Sequence, residues 1–265
     1  MVLESLFPAK KIVSKPVDML ILSFIVSIAC VFISYLVFPL YAGIIAPLLV
    51  AVAVAPLIYR VFAIEEEVER EEAEGMIKES FLDRHEDTIR IFTMFFAGCL
   101  LAVLFIASFM PESFVNAAFG QQVSEINSIR SLGTGSALNK TMLDIIIMNN
   151  IKVMAFSFFL SFIIGTGAVF ILAWNASILG VYLANFIRKG LYAHFLIQST
   201  GIMPHAIVEI GAYFLAGIAG GMLSAGIIRE KLQSKEFRLV LRDSVILMGI
   251  AAFAVIIGAY IEVGL

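Results

Sequence analysis

Six apolar stretches of about twenty residues or more fill most of the chain, at 17–38, 43–62, 89–109, 149–173, 204–228 and 243–261. A helix needs roughly 20 apolar residues to cross a hydrocarbon core about 30 Å thick, because it rises about 1.5 Å per residue. A seventh stretch, 175–187, is shorter. None of the runs alternates with period two, which argues against a transmembrane barrel. Only 15% of the residues are charged, against about 25% in an ordinary soluble domain. The expected fold class is therefore all-α: a polytopic transmembrane helical bundle with about seven crossings, one of them short or broken.

Lys10, Lys11 and Lys15 precede the first run as they would in a signal peptide. The run is too long for one and no small-residue cleavage site follows, so it reads as an uncleaved first crossing. Residues 1–16 mix lysines with Leu3, Leu6, Phe7, Ile12 and Val13. That pattern suits an interfacial segment broken by Pro8. Residues 17–62 then form an N-terminal transmembrane hairpin.

Lys and Arg concentrate on the cytoplasmic side of membrane proteins. Thirteen of the 18 basic residues fall in residues 1–16, 60–90 and 229–242, and five fall on the other side. This places the N-terminus in the cytoplasm and the C-terminus outside, and it requires an odd number of crossings. Residues 174–203 must then cross. The apolar part of that stretch is only about 21 Å long as a helix. It is expected either to run on past Arg188 and Lys189, whose side chains snorkel, or to be a half-helix completed by buried irregular chain.

The cytoplasmic stretch 60–90 holds eleven acidic and five basic residues, with the core IEEEVEREEAEGMIKESF. Its good helix formers and the single break at Gly75 predict a helical hairpin over 63–88 that prolongs crossings two and three. It is either a solvated elbow or a docking surface for a basic protein partner. Glu65–Arg70 and Phe81–His85 also match the EExxxR and FxxxH patterns of CAAX-type intramembrane proteases, but in a hydrophilic loop instead of a helical core. The external loop 111–148 is poor in charge and rich in Gln, Ser, Asn and Gly. It is expected to be partly ordered, with a short amphipathic helix around 114–129. Asn139-Lys140-Thr141 is a glycosylation sequon on that side.

Ionisable groups inside a membrane are costly and each invites a functional reading. Asn149, Asn150 and Lys152 open crossing four, Asn175 starts crossing five, and His205 and Glu209 lie one turn apart after Pro204. With Arg188, they are expected to form one polar cluster towards the external leaflet. The cluster is either structural glue, with Glu209 neutralised by Lys152 or Arg188, or a permeation site. Three histidines and no HExxH offer no zinc set. No metal or cofactor is expected, and Cys30 and Cys99 read as packing residues. Gly217xxxGly221, Gly220 and Gly165 mark close helix contacts, within one chain or between copies in a homo-oligomer. No basic stripe with aromatics suggests nucleic acid, so membrane lipid is the expected environment.

The segments NNIKVMAFSFFLSFIIGTGAVFILAWNASILG and PHAIVEIGAYFLAGIAGG resemble the stage II sporulation protein M family. There an Asn-Asn pair opens a helix, an Asn precedes a short helix, and a Pro-His-Gly-x-x-Glu motif opens the next. Asn149, Asn150, Asn175, Pro204, His205 and Glu209 match these features. Ala206 replaces the usual glycine, and Glu209 lies one residue further on. The similarity covers about residues 85–265. It implies a five-crossing core (89–265) behind an added hairpin, and a role as a membrane organiser. The expected function is thus a non-enzymatic multi-pass scaffold in the cell membrane. A channel or transporter using His205 and Glu209 is the alternative, and an intramembrane hydrolase is a distant third.

Overall fold

The computed structural model describes residues 8–73, 81–133, 139–229 and 233–264, and every regular element among them is an α-helix. In chain order these are α1 (Ala9–Ser14), α2 (Val17–Val37), α3 (Ala42–Ala73), α4 (Phe81–Phe109), α5 (Glu112–Ala118), α6 (Gly120–Gly133), α7 (Asn139–Ile164), α8 (Ala168–Arg188), α9 (Tyr192–Arg229) and α10 (Lys235–Gly264). By length and composition, seven of them can cross a membrane: α2, α3, α4, α7, α8, α9 and α10. The protein is an all-α polytopic bundle. Its outer surface is apolar where it meets lipid, as at Ile25, Leu36, Phe159 and Phe253.

We call the end of the bundle that bears α5 and α6 distal and the opposite end proximal. The most enclosed helix is α9, which packs against α7, α8 and α10, while α4 packs against α2 and α8. The large core is built around Phe92, Phe95, Leu172, Ile218 and Leu247. A second, distal core joins Val31, Ala46, Val103 and Ile106 to Phe114, Val115 and Phe119 of the α5–α6 region.

The fifth crossing is neither short nor broken. α8 is an unbroken helix of 21 residues that begins at Ala168, seven residues before Asn175. The expected boundary was misplaced because the apolar run is continuous from α7 into α8. Only Gly165-Thr166-Gly167 divides them. Gly165 adopts φ +80°, which other residues reach at a cost, and thereby reverses the chain. Ser161 stitches the turn: its carbonyl accepts from the Gly165 N–H at 2.6 Å, and its hydroxyl accepts from the Ala168 N–H at 2.6 Å.

Two other regions extend the bundle beyond its crossings. Pro8 stands at the N-cap of α1, and Ala9 and Ile12 are buried against the bundle. Residues 1–7 lie outside the described residues. Beyond the membrane, α3 and α4 continue to Ala73 and from Phe81, and residues 74–80 are not described.

The distal segment is more ordered than a polar loop predicts. Gln121 accepts from the Gly43 N–H at 3.1 Å and donates to the Leu40 carbonyl at 2.8 Å. Gln122, fully buried, donates to the Gly43 carbonyl at 2.8 Å and to Ser177 Oγ at 2.9 Å. The two adjacent amides therefore clamp α6 onto the start of α3 and the middle of α8. A β-carbon at Gly43 would collide with both glutamine side chains, so only glycine admits the clamp.

Candidate functional site

The intramembrane polar cluster forms where α7, α9 and α10 meet. Asn150 is its hub and is buried. Its Nδ2 donates to Glu209 Oε1 at 2.6 Å, and its Oδ1 accepts from the Tyr213 hydroxyl at 2.9 Å. Glu209 and Tyr213 sit one turn apart on α9, so one face of that helix presents both to a single amide. Asn149 reaches Asn150 only by a long contact of 3.4 Å, and its own side chain is exposed. Two turns down α7, Ser157 donates to the Tyr213 carbonyl at 2.9 Å.

On the α10 side, Gly258 lies against the stem of Glu209; a β-carbon there would stand 2.6 Å from Glu209 Cγ. One turn further along α10, the half-buried Glu262 interacts electrostatically with Glu209, Tyr213 and His205. His205 is half-buried. Its Nδ1 is sealed from solvent and has no hydrogen-bond partner among the described residues. The cluster thus unites two carboxylates, an imidazole, a phenol and an amide, and a positive charge facing the carboxylate pair would be stabilised in so poorly solvated a place.

The structure divides the expected site residues. Asn149, Asn150, His205 and Glu209 share the cluster. Lys152, Asn175 and Arg188 do not join it. Lys152 is exposed, because two residues along a helix turn the side chain about 200° away from Asn150. Asn175 Nδ2 donates to the Ile171 carbonyl of its own helix at 2.8 Å. Arg188 caps the end of α4, donating to the carbonyls of Ala107 at 3.2 Å and Met110 at 2.6 Å. The expected neutralisation of Glu209 by Lys152 or Arg188 is therefore replaced by the Asn150 amide.

Tyr213, Gly258 and Glu262 were missed. Tyr213 falls on the same face as His205 and Glu209, and that i+4 spacing was the available signal. Glu262 lies in the last apolar run, and no local pattern ties it to residue 209.

The four small-residue positions are packed within the chain. Gly217 lies against Ala168 and Ser157, Gly220 against the Phe158 carbonyl, and Gly221 against the Gly165 carbonyl and the Phe62 ring. His85 also differs from expectation. It is 1% exposed at the proximal end of α4, with Nε2 at 3.7 Å from Asp243 Oδ2 of α10, itself fully buried. Arg242 donates to the other Asp243 oxygen at 2.9 Å. The side chains of Glu65, Arg70, Phe81, Asn139 and Pro204 lie outside the described residues.

Seven apolar crossings around a polar seam define a multi-pass integral membrane protein. A family model described as Stage II sporulation protein M matches residues 89–265, which is more than half of the sequence. The chain belongs to the stage II sporulation protein M family, and the matched region begins within α4, leaving the first two crossings outside it. Comparison with curated proteins finds no match, and comparison with solved structures finds none.

Proposed function

We propose that the protein is a non-enzymatic membrane scaffold that organises a complex through its extramembrane segments, with the N-terminus and the acidic hairpin 63–88 in the cytoplasm and the C-terminus external. One observation carries this reading: polar side chains at the heart of the bundle are joined to one another across helices. Asn150 satisfies Glu209 and Tyr213 together, and Ser157 satisfies the Tyr213 carbonyl. Such bonds fix one helix arrangement, as a platform requires. The eleven acidic residues of 60–90 give the platform a surface for a basic protein partner.

The competing reading, a channel or transporter, draws on the Glu209–Glu262 pair beside His205, since intramembrane carboxylates line many ion paths. Two experiments separate them. A pull-down from native membranes with residues 65–79 deleted should lose the partners that the parent chain captures; unchanged capture sinks the scaffold reading. Proteoliposomes carrying the purified chain should show no ion or solute flux above empty vesicles. A flux abolished by Glu209→Gln would instead establish the transporter.

A further inference from the structure

The fourth crossing is the least enclosed of the seven: only 22% of its span, Leu143–Ile164, is buried. Met148, Phe156, Phe159 and Ile163 stand exposed along one side of α7, spaced as on a single helix face. Lys152 is exposed among them, and Asn149 is exposed one turn away. A charged group in such a place is costly unless it reaches water or meets an opposite charge.

Water is out of reach. The span of 22 residues matches a hydrocarbon core about 30 Å thick. Lys152 sits about 14 Å from its distal end and about 18 Å from its proximal end. The side chain leans towards the distal end, where α7 begins, and its arm covers about 6 Å. The ammonium therefore stops about 8 Å inside the hydrocarbon, short of the lipid phosphates.

The chain supplies no counter-charge. Among the described residues Lys152 has no ion-pair partner. Asn150 holds Glu209 on the opposite side of α7, and Glu262 interacts with Glu209 and His205 there. Asp144 is the other charged residue of the span and stands about 12 Å further along the helix.

We propose that this face of α7 docks a transmembrane helix of another protein, one that carries an aspartate or glutamate near mid-membrane and pairs it with Lys152. Charge complementarity selects this occupant. A lone carboxylate at that depth is as unfavourable as a lone ammonium, so the two neutralise each other on contact. Chain at that depth must satisfy its own backbone hydrogen bonds, so the carboxylate arrives on a helix. The apolar side chains on either side of Lys152 supply the packing surface, and the Asn149 amide stands ready to hydrogen-bond across the contact. This site goes beyond recruitment by the extramembrane segments and does not depend on it.

A designed peptide tests the pairing. The probe is a leucine–alanine transmembrane helix with one central Glu, and its controls carry Leu or Lys there. Donor-labelled full-length protein and acceptor-labelled peptide are reconstituted in phosphatidylcholine vesicles, and energy transfer reports association. The parent should bind the Glu peptide at least about tenfold more tightly than the Leu peptide. Lys152→Met should remove that preference. Lys152→Glu should reverse it in favour of the Lys peptide, which also shows that the variant is folded. Deleting residues 65–79 should leave the preference intact, so failure of the scaffold reading and failure of this contact are told apart. Equal binding of all three peptides by the parent overturns the proposal. So does a Glu preference that survives Lys152→Met. It also falls if phosphatidylglycerol added to the vesicles displaces the Glu peptide, since the lysine then serves an anionic lipid. Energy transfer between copies of the protein that is lost on Lys152→Met would overturn it too, by showing the face closed by a second copy.

Discussion

Gly258 of α10 supports Glu209 of α9 so closely that a β-carbon on the glycine would fall 2.6 Å from Glu209 Cγ. Cores resist added atoms, and one methyl forced into a full site costs about 1–3 kcal/mol. Gly258→Ala should lower thermal stability in detergent by that amount. Truncating the opposing side chain with Glu209→Ala should make the glycine change far milder, giving a clear coupling in a double-mutant cycle. Equal stability of Gly258→Ala and the parent would remove Gly258 from the site.

Asn150 and its neighbour Asn149 differ sharply in their surroundings. Asn150→Leu leaves Glu209 and the Tyr213 hydroxyl without their amide and should cost about 1–2 kcal/mol. Asn149→Leu, at an exposed position with a 3.4 Å contact, should change stability by less than about 0.5 kcal/mol. Unfolding followed by circular dichroism in one detergent decides between them. Similar losses at both positions would mean that the hub is misassigned.

The distal clamp predicts a local effect. Replacing Gln121 and Gln122 together by Ala releases α6 from Leu40, Gly43 and Ser177. Hydrogen exchange across 112–128 should accelerate by about tenfold or more, in line with losing about 1.4 kcal/mol of local stability, while α9 keeps its protection. Gly43→Val should reproduce the pattern from the other side of the contact. Unchanged exchange in both variants would show that the apolar contacts of Phe114 and Phe119 hold the segment alone.

At the proximal turn, Gly165→Ala forces a side chain into φ +80° and should cost about 1–2 kcal/mol. Gly220→Val should be worse, because its β-carbon would press on the Phe158 backbone carbonyl, which cannot swing aside. The folded yield after membrane extraction should fall in that order: parent, Gly165→Ala, Gly220→Val. A well-folded Gly220→Val protein would contradict the close approach of α9 and α7.

Crossings and family were legible because hydropathy and a few spaced motifs are local properties of the chain. The α7–α8 boundary was not, since both sides of Gly165 are equally apolar and hydropathy is blind to direction. The helix that carries each of Asn150, Lys152, Arg188 and His205 was readable, but the angle around that helix was not. Asn150 points inward and Lys152 outward although they are two residues apart. Arg188 closes the distal end of α8 and serves the end of α4. Glu262 and Gly258 join the site from about fifty residues away, through packing that no local pattern encodes. The glutamine clamp escaped because polar residues between crossings read as loop, and their targets are backbone groups that any sequence possesses.

The three-residue reversal at Gly165–Gly167 has a consequence for recognition. With so little chain between the fourth and fifth crossings, that face of the bundle offers a visiting protein no handle there. Any grip from that compartment must fall on the acidic segment joining the second and third crossings, on the short link ahead of the last one, or on the N-terminal segment. Grafting an epitope into each of these places in turn, and asking which one blocks assembly, would map the point of attachment even while the visitor's identity is open.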